Sequence, residues 1–196
     1  YSNAMEELSN FAIKHNIPVT QTVMGYSTMK RDHSHYAGQI GGLGGKNTND
    51  LAKETDLAIA VGTKLADFTT GSWANFENEN FKLLSINVSR FDANKHLAQA
   101  VVGDAKVSLI ELSEALGDWK VGDEWNEKSQ RELKVWNEHI DKESAPTNQE
   151  VPSYIQVIGA IYRNSEPTDI AVTAAGGLVG EVVQVWRPKE LNTHES

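Results

Sequence analysis

Two glycine-containing turns have the clearest capacity for chemistry in this sequence. Five of the glycines lie within residues 38–45, and such a cluster can present backbone amides to a phosphate. The dinucleotide-binding fingerprint is not matched, because residues 24–36 separate the cluster from the preceding apolar strand and Asn47 stands in place of the third glycine. We therefore interpret residues 38–45 as a flexible or partner-packed loop.

The second turn, residues 174–177, follows a predicted strand at 169–173 and precedes a predicted helix at 178–186. Free amides and the helix dipole at such a helix start favour an anion such as a diphosphate. Gly176, Gly177 and Leu178 are accordingly the candidate cofactor-binding residues. A plain tight turn is the alternative interpretation of the same residues.

A third candidate site comprises Gly62, Thr63 and Asn87, which follow or end two predicted strands. Ligands of open parallel sheets bind at the carboxyl ends of the strands. These residues are a possible nucleotide-type pocket, and turn formation explains them equally well.

Other reactive residue types carry less weight. Asp32, His33 and His35 include metal-ligating groups, but they lie on one loop without a third ligand cluster, which favours a solvated loop. Ser72 has no marked base or orienting partner. Cysteine is absent, so a cysteine nucleophile and disulfides are excluded. The sequence therefore assigns no catalytic residue and no metal ligand.

Composition narrows the class of protein. The 196 residues are 39% hydrophobic, without an apolar run of about 18 residues that could span a bilayer. The formal charge of −9 argues against a nucleic-acid partner, because phosphate binding requires a surplus of lysine and arginine on one face. We expect a cytoplasmic protein that acts on a small molecule, with no nucleic-acid or membrane partner.

Predicted helices and strands alternate along the first 116 residues. A helix ends before residue 17, and apolar strands follow at 18–23, 57–61, 81–88 and 100–102. Further helices are predicted at 48–55, with Thr48 as N-cap, and at 105–116, with Asp104 as cap. The pattern predicts an α/β fold, a Rossmann-like parallel sheet with helices on both faces.

Composition also suggests how the chain divides. Residues 1–4 resemble the remnant of a purification tag. Residues 5–118 form the predicted central Rossmann-like domain, and the charged residues 119–150 form a linker with one helix. A helix beginning at Pro152 opens residues 151–196, which we interpret as the truncated beginning of a second, cofactor-binding domain.

The order of short motifs resembles the acetolactate-synthase-like superfamily of thiamine-diphosphate enzymes. These motifs are Pro18-Val19-Thr20-Gln21-Thr22, Met24-Gly25, the glycines of residues 38–45, Thr55-Asp56-Leu57, Val61-Gly62-Thr63, Leu84-Ser85-Ile86-Asn87 and Val102-Gly103-Asp104-Ala105. Within the superfamily, residues 67–72 and 174–181 are most similar to the trihydroxycyclohexanedione hydrolases of myo-inositol catabolism, although Val179 stands where their pattern has proline.

The resemblance implies a function for the complete enzyme. Members of that family open the ring of a cyclic 1,2-dione by hydrolytic carbon–carbon cleavage, using thiamine diphosphate and Mg²⁺, and a homo-oligomer is expected. Thiamine catalysis also needs an activating glutamate and a Gly-Asp-Gly to Asn-Asn metal-binding segment, neither of which is present in this chain. We therefore expect these 196 residues alone to be inactive and to bind no cofactor.

Two alternatives remain open. An acetolactate-synthase-like enzyme would bind FAD in its middle domain through the positions of Gly62, Thr63 and Asn87. A non-enzymatic nucleotide-binding module of the same fold is the other alternative. The residues after Glu150 argue against a stand-alone module, which would not need an additional strand and helix.

Overall fold

The computed structural model of the chain describes residues 2–174, 176–188, 190–191 and 194–195. Its longer helices are α1 (Met5–His15), α2 (Lys46–Glu54), α5 (Ala105–Leu116), α6 (Asp123–Glu143), α7 (Tyr154–Arg163) and α8 (Leu178–Val185). Two single-turn helices are α3 (Asp67–Thr70) and α4 (Arg90–Ala93). The strands are β1 (Val19–Gln21), β2 (Tyr36–Gln39), β3 (Leu57–Val61), β4 (Lys82–Asn87), β5 (Gln99–Val102), β6 (Ala171–Val172) and β7 (His194–Glu195).

Every described strand pairing is parallel, which confirms the predicted fold class. The strands form three sheets with the orders β1-β2, β3-β4-β5 and β6-β7. In the three-stranded sheet, Val61 pairs with Ile86 and Asn87 pairs with Val102. The carboxyl ends of β3, β4 and β5 therefore meet at one edge.

Helices cover the sheets through three apolar clusters. Helices α1 and α5 pack on the three-stranded sheet through Phe11, Ile86 and Leu109. Tyr36 of β2 is fully buried with Ala12 and Leu133 in a second cluster. A third cluster joins Tyr26 and Ile140 to α7 and α8 and contains Ile158, Val182, Val185 and Trp186. None of the helices in the described residues is both long enough and apolar enough to cross a membrane.

Local sequence explains where the best-predicted elements begin and end. Helix α5 spans the predicted residues because the Asp104 carboxylate accepts hydrogen bonds from the amides of Lys106 and Val107 at 2.9 and 3.3 Å. Helix α7 begins at Tyr154 rather than at Pro152, because Ser153 and Gln156 form a capping box.

The structure corrects the prediction that Thr48 caps α2. The helix begins at Lys46, and Gly45 is its N-cap. Thr48 is fully buried, and its hydroxyl donates to the carbonyl of Ala37 at 2.9 Å. Tertiary contact with β2 therefore determines the orientation of this side chain, which a local capping pattern does not capture.

Strand β2 was not predicted from the sequence, because Tyr36–Gln39 contains one glycine and one glutamine and lacks a β-branched run. The strand predicted at residues 169–173 is present in shorter form as Ala171–Val172. Near the amino terminus, the Ser2 hydroxyl donates to the Asp104 carboxylate at 3.0 Å. Residues that resemble a tag remnant thus contact the α5 cap.

Candidate functional site

The candidate cofactor turn lies between β6 and α8. Gly176 has φ +155°, and Gly177 is the N-cap of α8 with φ −66° and ψ −25°. A Cβ atom built on Gly176 would meet no atom within 4 Å, and one on Gly177 would meet only Tyr154 Cε2, at 4.0 Å. Ala175 lies outside the described residues. The surface of the turn at Gly176 and Gly177 is therefore open.

This turn has the polar groups that an anionic cofactor would need. The first amides of a helix have no acceptor within the helix, so Gly177 and Leu178 present N–H groups at the start of α8. Close by in the chain, Thr173 Oγ1 and Glu181 Oε2 are buried and have no hydrogen-bond partner among the described residues. The helix-start amides and the Thr173 hydroxyl are donors that an anion can accept, whereas the Glu181 carboxylate oxygen is an acceptor and would repel one. Sequence reasoning identified neither oxygen.

The structure brings Gly62, Thr63 and Asn87 together, as the parallel topology predicted. The Asn87 side-chain amide donates to the Thr63 carbonyl at 3.2 Å, and its Oδ1 accepts from the Ser89 amide at 2.9 Å. The Gly62 amide donates to the Ile86 carbonyl at 2.9 Å. Asn87 is 7% exposed, so its polar atoms hold the strand ends together. Gly62 and Thr63 are the more accessible of the three residues.

Basic side chains surround this edge of the sheet, which sequence reasoning missed. Lys64 and Arg90 are exposed, and Lys95 pairs with Asp92 at 2.6 Å. The hydrogen bond from Lys95 holds the pKa of the Asp92 carboxyl below its usual value, with a smaller contribution from Lys64. The sequence signal was a basic residue within eight positions after each of the strands β3 and β4. The edge thus combines these basic side chains with the Asp92 carboxylate, on a chain of formal charge −9.

Residues 38–45 form a packed segment. Gly41 has φ +109°, and a Cβ atom there would lie 2.3 Å from the Phe68 carbonyl oxygen. The Gly42 amide donates to the same oxygen at 2.7 Å. At Gly44, a Cβ atom would lie 2.3 Å from the carbonyl oxygen of Gln39. These glycines allow close approach of the protein's own backbone, so the loop is packed against α3 and the end of β2.

The loop that carries Asp32, His33 and His35, which we call the histidine loop, makes structural hydrogen bonds. His33 Nε2 lies 2.7 Å from Ser9 Oγ, and His35 Nε2 lies 3.0 Å from Asn16 Oδ1. Burial lowers the pKa of both imidazoles, which favours their neutral forms. Within the described part of the chain, no group of three or more acidic, cysteine or histidine side chains is placed to hold a metal ion. Ser72 adopts φ +53°, and no base within hydrogen-bond distance of its hydroxyl is found among the described residues.

Comparison with known proteins agrees with this fold. The family model described as "Thiamine pyrophosphate enzyme, central domain" matches residues 1–112. Over 99% of its length the chain is 33% identical to a 3D-(3,5/4)-trihydroxycyclohexane-1,2-dione hydrolase of Clostridium tetani, and it covers 34% of that protein. The proteins of the same name from Geobacillus thermodenitrificans and Bacillus anthracis are 35% and 31% identical, each over 99% of this chain.

The parallel strands and the helices that cover them define an α/β protein. The family match extends over more than half of the chain. This chain belongs to the thiamine pyrophosphate enzyme central domain family. It spans about a third of the length of the curated relatives that it matches.

Proposed function

We propose that this chain is the central domain and the start of the cofactor domain of a hydrolase that cleaves a ring carbon–carbon bond of trihydroxycyclohexane-1,2-dione. The observation that carries the proposal is the shared name of relatives that are 31–35% identical over 99% of the chain. Under this proposal the reaction is a step of myo-inositol degradation, in the cytoplasm, by a homo-oligomer.

The cofactors of the intact enzyme would be thiamine diphosphate and Mg²⁺. Thiamine diphosphate, when bound, supplies the carbanion chemistry that breaks the bond, and the protein supplies orientation and electrostatics. We assign the diphosphate to the amides of Gly177 and Leu178 at the start of α8, with Gly176 leaving room for close approach. The unpartnered Thr173 hydroxyl provides an additional donor beside the turn.

The central domain would then position the cofactor turn. Trp136 Nε1 of α6 donates to Gln184 Oε1 at 2.9 Å, and the Gln184 side-chain amide donates to the Leu43 carbonyl. The Tyr26 hydroxyl donates to the Val183 carbonyl at 3.1 Å. Helix α8 is thus held by hydrogen bonds to three other parts of the chain, through Gln184 and Val183, and the amides at its start are fixed with it.

The test is a reaction of the intact protein with the cyclic dione in the presence of thiamine diphosphate and Mg²⁺, with the product identified by mass. We expect one water to be added per ring opened and no reaction when thiamine diphosphate is omitted. If an intact, folded protein binds thiamine diphosphate but leaves the dione unchanged, the proposed substrate is wrong. The assignment to the thiamine pyrophosphate enzyme family would still stand.

A second candidate function is that of a thiamine enzyme with FAD in its middle domain. The observation in its favour is the open strand edge, where Gly62 has no atom within 4 Å of its Cβ position and Lys64 and Arg90 are exposed. An absorbance spectrum of the purified intact protein separates the two functions. Flavin bands that survive gel filtration favour the FAD enzyme, and a colourless active protein favours the hydrolase.

A further inference from the structure

Arg31 is a half-buried cation that has no carboxylate partner among the described residues. Its Nη1 donates to the Tyr26 hydroxyl at 3.1 Å and its Nη2 donates to Asn137 Oδ1 at 3.2 Å. The guanidinium also lies over the Tyr36 ring, 5.5 Å from its centroid. Among the described residues, no aspartate or glutamate lies within ion-pair distance of Arg31. A buried charge is costly unless it is paired, so this guanidinium has unused capacity for an anion.

Further donors lie in the same cluster. Arg187 Nη2 donates to the Asn137 carbonyl at 3.2 Å and pairs with Asp141 at 2.6 Å, while its Nε is buried and unpartnered within the described structure. The Tyr36 hydroxyl is also buried, with no partner among the described residues. Burial raises the pKa of this phenol although both arginine charges oppose the shift, so the hydroxyl remains a donor at neutral pH. Of the two guanidinium groups, only that of Arg187 pairs with a carboxylate among the described residues.

A cleft gives access to Arg31 from solvent. Its volume is about 360 Å³, and it lies between the histidine loop and the face of α6 that carries Gln130, Leu133 and Asn137. Arg31 and Asn137 line the cleft and are half-buried, whereas the charged side chains Asp32, Lys134, Glu138 and Asp141 line it and are exposed.

We propose that this cleft binds a small monocarboxylate, with the carboxylate paired to the Arg31 guanidinium. A planar carboxylate matches the two-pronged guanidinium, and the ion pair would supply the missing counter-charge. The class of ligand follows from the exposed charges. Three carboxylates and only one lysine are exposed around the cleft, and a phosphate dianion meets more repulsion there than a single carboxylate does. The site is separate from the cofactor turn and does not depend on the proposed hydrolase activity.

Acetate is the probe. Thermal unfolding of the 196-residue chain is recorded at neutral pH in sodium acetate, sodium chloride and sodium phosphate of matched ionic strength. We expect a saturable rise in melting temperature with acetate alone. Arg31→Met should raise the dissociation constant for acetate by about tenfold or more, because a charged hydrogen-bond partner is lost. Arg131→Met, which removes an exposed arginine from the same helix as Asn137, should leave it unchanged.

A second measurement covers the case in which Arg31→Met does not fold. The wild-type chain is treated with phenylglyoxal, and the modified arginines are identified by peptide mapping. Acetate should slow the modification of Arg31 and leave that of Arg131 unaffected. Equal stabilisation by chloride, or an unchanged acetate affinity in a folded Arg31→Met variant, overturns the site. Tighter binding of phosphate than of acetate overturns the assignment to a carboxylate.

Discussion

Replacing Gly41 with alanine should destabilise the protein strongly, because two separate features of this residue exclude a side chain. Its φ of +109° lies in a region that other residues rarely adopt. A Cβ atom would lie 2.3 Å from the Phe68 carbonyl oxygen and 2.9 Å from Thr69 Cα. Both neighbours are backbone atoms, so neither can move aside by a change of rotamer.

The magnitude follows from these two contributions. A residue held in a disfavoured backbone region costs about 1–3 kcal/mol. Forcing an extra carbon into a packed site costs about 1–3 kcal/mol more. We expect Gly41→Ala to lower the free energy of unfolding by roughly 2–6 kcal/mol. The melting temperature of a chain of this size should then fall by about 5–20 °C.

Gly42→Ala is the matched control in the same loop. A Cβ atom at Gly42 would lie 3.5 Å from Phe68 Cδ1, which is an ordinary contact, and Gly42 is not among the glycines with positive φ. We expect a change within about 1 kcal/mol, because lower entropy of the unfolded chain offsets any small adjustment. Urea unfolding of the three proteins measures both effects. Similar midpoints for Gly41→Ala and the wild type would refute the close packing of this loop on α3.

Three further predictions concern pH, activity and the cofactor turn. Burial lowers the pKa of His33 and His35 in the folded state, so the unfolded chain takes up protons first as pH falls through about 6.5. Unfolding experiments should show stability lost between about pH 7 and 5.5, and the double variant His33→Gln, His35→Gln should lose less. The 196-residue chain with thiamine diphosphate and Mg²⁺ should open no cyclic dione, and product detected by mass would mean that it contains a working active site. In the intact protein, Gly177→Val should weaken thiamine diphosphate binding more than it lowers the melting temperature, since the Cβ position is open. The control Gly180→Ala should change neither quantity. Unchanged cofactor affinity in Gly177→Val would mean that Gly177 only forms the turn.

Sequence reasoning worked best where one local signal determines an element. Strand β3 was predicted because Leu57–Val61 is continuously apolar, and β4 was predicted because residues 81–88 are mainly apolar. Helix α5 was predicted because an aspartate cap precedes a periodic apolar face. Strand β2 was missed because its burial depends on the nearby helix α2 and on α6, which is distant in the sequence.

The candidate sites also contain features that the sequence predicts and features that it does not. The meeting of Gly62, Thr63 and Asn87 was predictable, because parallel strands must align their carboxyl ends. The hydrogen bond from Asn87 to Thr63 was not, because it depends on the side-chain rotamer. The environment of Arg31 was equally hidden, since its partner Asn137 lies 106 residues further along the chain.

Helix α6, which lies within the charged segment at residues 119–150, shows a limit of composition as a guide to packing. The many charged residues of α6 suggested a linker. They lie on its outward face, whereas Leu133 and Ile140 are buried. Leu133 packs against Tyr36 in one core cluster, and Ile140 packs against Tyr26 in another, seven residues and about two turns further along. Asn137 lies between them and binds both Arg31 and Arg187. Because one helix contributes to the core next to β2 and to the core next to α8, any displacement of the cofactor turn relative to the central sheet must disturb buried contacts along α6.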